Sequence, residues 1–306
     1  MPETAPSVSV IINARNGAAT LRETLDSVLA QTLTDYEIVF WDDGSTDASP
    51  AIAQAFTDRG LRYFRGTGVG LGPARAMALQ QARGDWIAFI DQDDLWLPTK
   101  LAQQVALGEA DPAVALVYGR TVSFSPDGQE RDYDHRHEFT PLPEGDIFER
   151  LWIDSCFIAV SSTLMRRSAV QALPPMPAEI LVSPDYFLYL GLARRHRVRA
   201  VQGVVCRYRL HANNMSHVVR GRIQLEVLFL IDQWRAELDP ALARWRRQVH
   251  ATVLAVQELR QRGQRWRGLR RLVRDGSLPF LASRPLAQAA RGLRRRIQQP
   301  YWQRAA

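Results

Sequence analysis

Short apolar runs alternate with stretches of helical periodicity through the first 118 residues, the pattern of a mainly parallel sheet covered by helices. Residues 8–12 read as a first strand. Thr20 and Glu23 have the spacing of a capping box, and Leu21, Leu25, Val28 and Leu29 form one apolar stripe, so the pattern predicts a helix over 21–31. A second strand spans 36–41, its IVFW too short and β-rich for a buried helix. It stops at DDGSTD, where Ser45, Thr46 and Asp47 all suit the cap of a helix running through Ala55 and Phe56. A third strand at 61–64, a helix at 73–82 and a fourth strand at 86–90 follow, then a helix with Pro98 in its first turn and Gly108 at its end.

Beyond Val114 the order changes. A strand runs through Tyr118, SPDG at 125–128 makes a turn, and a polar stretch rich in Asp, His and Arg reads as loop. A helix at 184–195, a strand at 198–208 and the loop LHANNMS complete the body, and no repeat of fixed period interrupts it. The expected divisions are 1–118, 119–218 and a C-terminal basic helical extension at 219–306.

Charge sharpens that division. Residues 219–306 hold 19 arginines and no lysine against 6 acids, a net of +13, which leaves positions 1–218 at −6 within an overall +7. A mildly acidic, enzyme-sized body thus carries a basic tail. Lys100 is the single lysine, so part of the arginine excess reflects base composition. The two cysteines, Cys156 and Cys206, are far apart and in no metal-type spacing, which predicts two buried thiols rather than a disulfide or a zinc site. No basic segment precedes the first apolar run, and no stretch reaches the roughly 18 apolar residues of a membrane span. The expected location is cytoplasmic, with peripheral contact at the inner face of the membrane left open.

Candidate chemistry sits where strands end. IDQDD at 90–94 places Asp91, Asp93 and Asp94 at the exit of a buried strand, and clustered acids there make sense chiefly if a divalent cation neutralises them. In open α/β sheets ligands bind beyond the carboxyl ends of the strands. Asp42 and Asp43 leave the second strand in the same layer, placed to hydrogen-bond a base or ribose. GTGVGLGPAR at 66–75 is a flexible loop entering a helix, suited to cradle phosphates with its amides and Arg75. Its glycines fall at every second position after the third strand, so the GxGxxG fingerprint of a dinucleotide dehydrogenase is not met.

As an ordered set, VSVIINARNGAATLRETLDSVLAQT, YEIVFWDDGSTD and GPARAMALQQARGDWIAFIDQDDLWLP resemble glycosyltransferase family 2, over about residues 7–105. The resemblance implies a GT-A fold with a Rossmann-like nucleotide-binding half. It implies nucleoside contacts from Asn13, Arg15, Asp42 and Asp43, with Asp43 on the base. Asp91 and Asp93, with Asp94 adjoining, match the DxD positions and would hold Mn2+ or Mg2+ on the donor diphosphate. SPDYFLYLGLA resembles the segment carrying the catalytic base, here Asp185, although Pro184 replaces the usual acid before it. CRYRLHANNMS looks like the closing loop whose histidine, His211, can complete the metal site. Ala76 stands where many relatives have asparagine, which weakens the phosphate role of Arg75.

The implied reaction is an inverting transfer from a nucleotide sugar, UDP-linked in preference to dTDP- or GDP-linked, to the hydroxyl of a glycan or lipid-linked acceptor in cell-surface polysaccharide synthesis. Two rivals remain: a nucleotidyltransferase, which the first loop INARNGAATL disfavours for want of a glycine-rich basic grip, and a non-catalytic basic module for nucleic acid or membrane. The net-acidic body argues against a specific nucleic-acid partner. Trp234, Trp245, Trp266, Leu269, Leu272, Val273, Phe280 and Trp302, interspersed with the tail's arginines, are candidate anchors to an anionic membrane surface.

Overall fold

A computed structural model describes residues 5–125, 128–132, 139–154, 156–211, 214, 220–260 and 264–274. Contacts divide the chain into Met1–Leu210 and His211–Ala306.

In the first unit β1 (Val8–Ala14), β2 (Tyr36–Asp42), β3 (Leu61–Arg65) and β4 (Trp86–Asp91) are parallel, in the order β3-β2-β1-β4. Helices α1 (Leu21–Leu29), α2 (Ser49–Gln54) and α3 (Leu71–Leu79) connect them. Val8, Val10 and Ile12 join the main core cluster, and Ile11 between them is also fully buried, as a central strand covered on both faces requires. The sheet then continues as mixed. After the two-residue β5 (Leu95–Trp96) and α4 (Lys100–Glu109) come β6 (Val114–Phe124), β7 (Glu130–Asp132), β8 (Leu164–Arg166) and β9 (Arg197–Arg209). They extend the order through β8, β6, β9 and β5, with β7 on β6, so that nine strands of the described residues form one sheet. β8 is antiparallel to both β4 and β6, whereas β6 and β9 are parallel. The remaining helices of this unit are α5 (Phe148–Asp154), α6 (Arg167–Gln171) and α7 (Pro184–Ala193). β6 runs straight through position 118, so one sheet carries both expected halves.

Several local expectations shift for identifiable reasons. Thr20 precedes α1 but makes no side-chain cap; its hydroxyl donates instead to the Gln92 carbonyl at 3.0 Å. The second helix starts only at Ser49, because the Asp47 carboxylate accepts the Ser49 amide at 2.9 Å and the preceding residues are bound elsewhere. Gly108 is the next-to-last residue of α4, and an added Cβ there would stand 2.4 Å from the Trp86 ring. The Gly128 amide closes the expected turn on the Ser125 carbonyl at 2.8 Å; Pro126, Asp127 and residues 133–138 lie outside the described residues. Cys206 is buried and Cys156 half-buried.

The second unit contains α8 (Arg220–Gln233), α9 (Pro240–Arg260) and α10 (Arg265–Arg274). Buried His250 ties α9 to α8 through Gln224, 2.5 Å from Nδ1. α10 packs on α9 through Gly268, where a Cβ would meet the Ala255 carbonyl at 2.7 Å, and through buried Leu272. Of the candidate anchors, Trp234 and Leu272 are packed away, Trp245 is half-buried, and Trp266, Leu269 and Val273 are exposed. Phe280 and Trp302 lie outside the described residues. No helix among the described residues is long and apolar enough to cross a membrane.

Candidate active site

Strand order reverses between β1 and β4: the chain runs from β1 outward to β3, then returns to place β4 on the other side of β1. Such a switch point opens a crevice at the carboxyl ends of the strands. Asn13 pairs in register with Asp91 on one side and Trp41 on the other. Both side-chain polar atoms of Asn13 are buried without a protein hydrogen-bond partner, which a nucleotide could supply.

The loop after β1 is held by a residue that sequence reasoning passed over. The Gln92 Oε1 accepts the Arg15 amide at 2.8 Å, its Nε2 donates to the Arg15 carbonyl at 3.3 Å, and its own carbonyl receives the hydroxyls of Thr20 and Thr24. The middle residue of the acidic motif therefore ties the first loop to β4 and aims exposed Arg15. A Cβ on Gly68 would stand 3.6 Å from the Arg15 guanidinium, so that arginine lies beside the glycine-rich loop.

Asp42 and Asp43 organise that same loop from within. Asp42 is fully buried; its oxygens accept the Ser45 amide at 2.7 Å, the Tyr63 hydroxyl at 2.6 Å and Arg65 at 2.9 Å. These three contacts make Asp42 a support for the loop that follows β2. Asp43 accepts the amides of Gly68, Val69 and Gly70 at 3.2, 2.9 and 2.8 Å. Gly70 takes φ +91° to turn into α3, and Gly72 must be glycine because a Cβ would lie 2.3 Å from the Ile180 carbonyl. The Gly72 amide donates to the Leu181 carbonyl at 2.9 Å, docking the start of α3 on the segment that leads into α7.

That docking gathers charge. Arg75 on α3 is buried and pairs with Asp91 at 2.5 Å, its Nε left without a partner. Burial disfavours the Arg75 charge, but Asp91 and then Asp185 outweigh it and raise its pKa. Asp185 lies in the first turn of α7, where the helix dipole favours a carboxylate. Burial raises the Asp91 carboxyl above its ordinary range; Arg75 pulls it back, and the charges of Asp93 and Asp185 push it up again. The proposed base and the acidic motif thus share one electrostatic field. Asp154, on α5, is exposed and paired with Arg150, and Glu179 is exposed in the segment before α7.

A buried polar platform lies beneath. The Ser161 hydroxyl donates to Asp94 at 2.5 Å and accepts the Asp91 amide at 3.1 Å. Ser161 is itself held by Trp96, whose indole donates to its carbonyl at 2.6 Å. Lys100 donates to Gln104 at 2.7 Å and to the Thr163 carbonyl at 3.0 Å, with its Nζ 4.0 Å from the Trp96 ring centre. Gln104 in turn donates to the Ser162 carbonyl at 2.7 Å. The lone lysine of the chain is thus a structural post, and burial pulls it down to about 7.

The donor set suits a divalent cation of the kind held by one or two carboxylates together with substrate phosphates. Asp91 and Asp93 are partly exposed and repel one another. No three of His, Cys, Asp and Glu gather into a cation site among the described residues. Asp94 is turned inward, only 1% exposed, between Ser161 and the Arg209 amide. Burial first, then the charges of Asp93 and Asp91, push its carboxyl well up. His211 opens the second unit, its amide on the Asn214 side chain at 2.6 Å.

Residues 9–173, more than half of the chain, match the family described as Glycosyl transferase family 2. The chain belongs to that family. This family 2 glycosyltransferase is 32% identical over 213 residues to the UDP-Glc:alpha-D-GlcNAc-diphosphoundecaprenol beta-1,3-glucosyltransferase WfaP of Escherichia coli, covering 68% of this chain and 79% of that protein. It is 26% identical over 212 residues to the corresponding Escherichia coli enzyme WfgD, with the same coverage of 68% and 79%. The mannosyltransferase PcManGT of Pyrobaculum calidifontis, solved with GDP-Man and Mn2+, matches with a TM-score of 0.60 at 19% identity, over 94% of this chain and 84% of that one. S. aureus TarS 1-349, solved with UDP-GlcNAc, matches with a TM-score of 0.60 at 17% identity, over 81% and 70%. The fold is GT-A type, and the protein is a glycosyltransferase; the nucleotidyltransferase and the non-catalytic module give way to that assignment.

Proposed function

We propose that this enzyme transfers a sugar, with inversion, from a nucleoside-diphosphate sugar to a hydroxyl of a lipid-linked glycan acceptor during cell-surface glycan synthesis. The observation that supports this reading is the Arg75–Asp91 ion pair at the end of β4, with Asp185 near enough to act electrostatically on both of its members. Relatives named for glucosyl transfer from UDP-Glc onto a diphosphoundecaprenol-linked sugar favour UDP as the carrier and a lipid-linked acceptor.

Asn13 and Arg15 bind the nucleoside, beside the glycine-rich loop whose amides Asp43 holds from within. Arg75 neutralises the departing diphosphate. Asp91 and Asp93 would hold Mn2+ or Mg2+, with Asp94 fixing the strand end from beneath. When bound, the cation supplies positive charge to the leaving nucleoside diphosphate. Asp185 takes the proton of the acceptor hydroxyl as that oxygen attacks the anomeric carbon and the carbon–phosphate-oxygen bond breaks. The role demands position above all. A screen of UDP-, dTDP- and GDP-sugars with Mn2+ and Mg2+ on diphospholipid-linked acceptors tests this, with the product anomer read by NMR. A product of retained configuration, or no transfer with any donor, overturns it.

A further inference from the structure

Helix α10 has two apolar faces that point different ways. One, Gly268 and Leu272, packs on α9. The other, Trp266, Leu269 and Val273, follows helical i, i+3, i+7 spacing and is 77%, 42% and 62% exposed. Between the two faces, on one side, stand Arg267, Arg270 and Arg274, all exposed, while Arg271 below them closes on Glu258 at 3.1 Å. Five arginines and no acid occupy Arg265–Arg274.

An exposed tryptophan beside a leucine and a valine costs free energy in water, and a purely electrostatic surface has no use for it. Arginines alongside make the stripe complementary to a layer whose interior is apolar and whose surface is anionic. A nucleic acid would match the arginines but leave the leucine and valine without a partner.

We propose that the Trp266–Leu269–Val273 face of α10 inserts at the surface of an anionic lipid bilayer, with Arg267, Arg270 and Arg274 on the headgroup phosphates. The helix lies in the interfacial plane, since it is too short and too charged to span. This deepens the proposed function, resting on it for its purpose: the enzyme is held at the surface in which a lipid-linked acceptor resides.

The test is flotation of the full chain with phosphatidylcholine vesicles, with and without phosphatidylglycerol, at low and raised salt. Binding is expected only with phosphatidylglycerol, and weaker as salt rises. The triple variant Trp266→Ser, Leu269→Ser, Val273→Ser, all at exposed positions, should lose roughly tenfold or more in partitioning while melting like the wild type. Arg267→Glu with Arg270→Glu should abolish binding. A wild-type chain that stays with the soluble fraction, or a triple variant that floats equally well, overturns the proposal. So does a triple variant that changes only sedimentation, which would make the face a contact between copies. Transfer to a soluble acceptor, measured on the same preparations, is expected to be unchanged. Its absence alongside intact flotation would defeat the proposed reaction and leave this surface standing.

Discussion

Ser161→Ala removes one oxygen and two hydrogen bonds from beneath the acidic motif. The hydroxyl donates to Asp94 at 2.5 Å and accepts the Asp91 amide at 3.1 Å, and Asp94 has only 1% exposure through which water could replace it. Leaving a buried carboxyl short of a donor costs about 1–3 kcal/mol and losing the amide contact about 1 kcal/mol, so the variant should be about 2–4 kcal/mol less stable. Denaturant unfolding measures this directly, and a double-mutant cycle with Asp94→Asn isolates the contact. If Ser161 acts through Asp94, the coupling energy should be about 1–2 kcal/mol; losses additive to within about 0.5 kcal/mol would refute the platform. A functional readout accompanies it. Partners behind metal-binding groups typically matter about 10–100-fold in metal affinity, and Mn2+-dependent UDP binding should weaken by about that factor. Unchanged binding with lowered stability would reduce Ser161 to a packing role.

Asp93→Ala should abolish Mn2+-dependent UDP affinity with the fold intact by circular dichroism, since the residue is a partly exposed strand-end acid and not a core contact. Asp185→Asn should leave donor binding near normal and lower transfer by roughly 100-fold in single-turnover assays; wild-type turnover would move the base elsewhere. Gly72→Ala should destabilise by about 2–4 kcal/mol in thermal melts, because its Cβ would meet the Ile180 backbone at 2.3 Å and displace the Leu181 hydrogen bond. Lys100 titrates near 7 when folded and about 10.4 when unfolded, so the unfolded chain holds the extra proton between those values. Wild-type stability should accordingly rise from pH 7 toward pH 10 relative to Lys100→Met, and parallel pH profiles for the two would show that Lys100 keeps its proton.

The parallel half was legible because its information is local. Each strand is a short apolar run ended by acids or glycines, and each helix a stripe beside it, so β1 to β4 are offset from the expected positions by only a residue or two. What position in the chain cannot carry is which acid faces outward. Asp42, Asp43, Asp93 and Asp94 look equivalent in the sequence, yet Asp42 is bound by Tyr63, Arg65 and Ser45, Asp43 by the amides of Gly68, Val69 and Gly70, and Asp94 by Ser161 and Arg209, which leaves Asp93 the most exposed of the four. Those partners come from β3, from the segment before β8 and from the end of β9, up to 115 residues away. Gln92 and Ser161 had no mark at all, because an amide and a hydroxyl take their roles entirely from what the fold brings to them. The expected capping box failed for the same reason: the Thr20 hydroxyl is turned toward the Gln92 carbonyl, to which it donates, and makes no cap to the amides of its own helix.

The acids at this strand end are tolerable before any substrate arrives because each is met by a different device. Asp91 is met by an arginine, Asp94 by burial that favours its neutral form together with a hydroxyl and an amide, and Asp185 by a helix N-terminus. Those devices differ in how readily they are exchanged. Burial and hydrogen bonds inside the platform move only if the core moves, whereas the Arg75–Asp91 pair lies on the crevice side, with Asp91 one-third exposed. A diphosphate with its cation carries partners for both members of that pair: oxygens for the arginine and positive charge for the carboxylate. In the proposed reaction, donor binding would replace that one ion pair with two, leaving no charge unmatched, while the contacts of the platform beneath stay as they are.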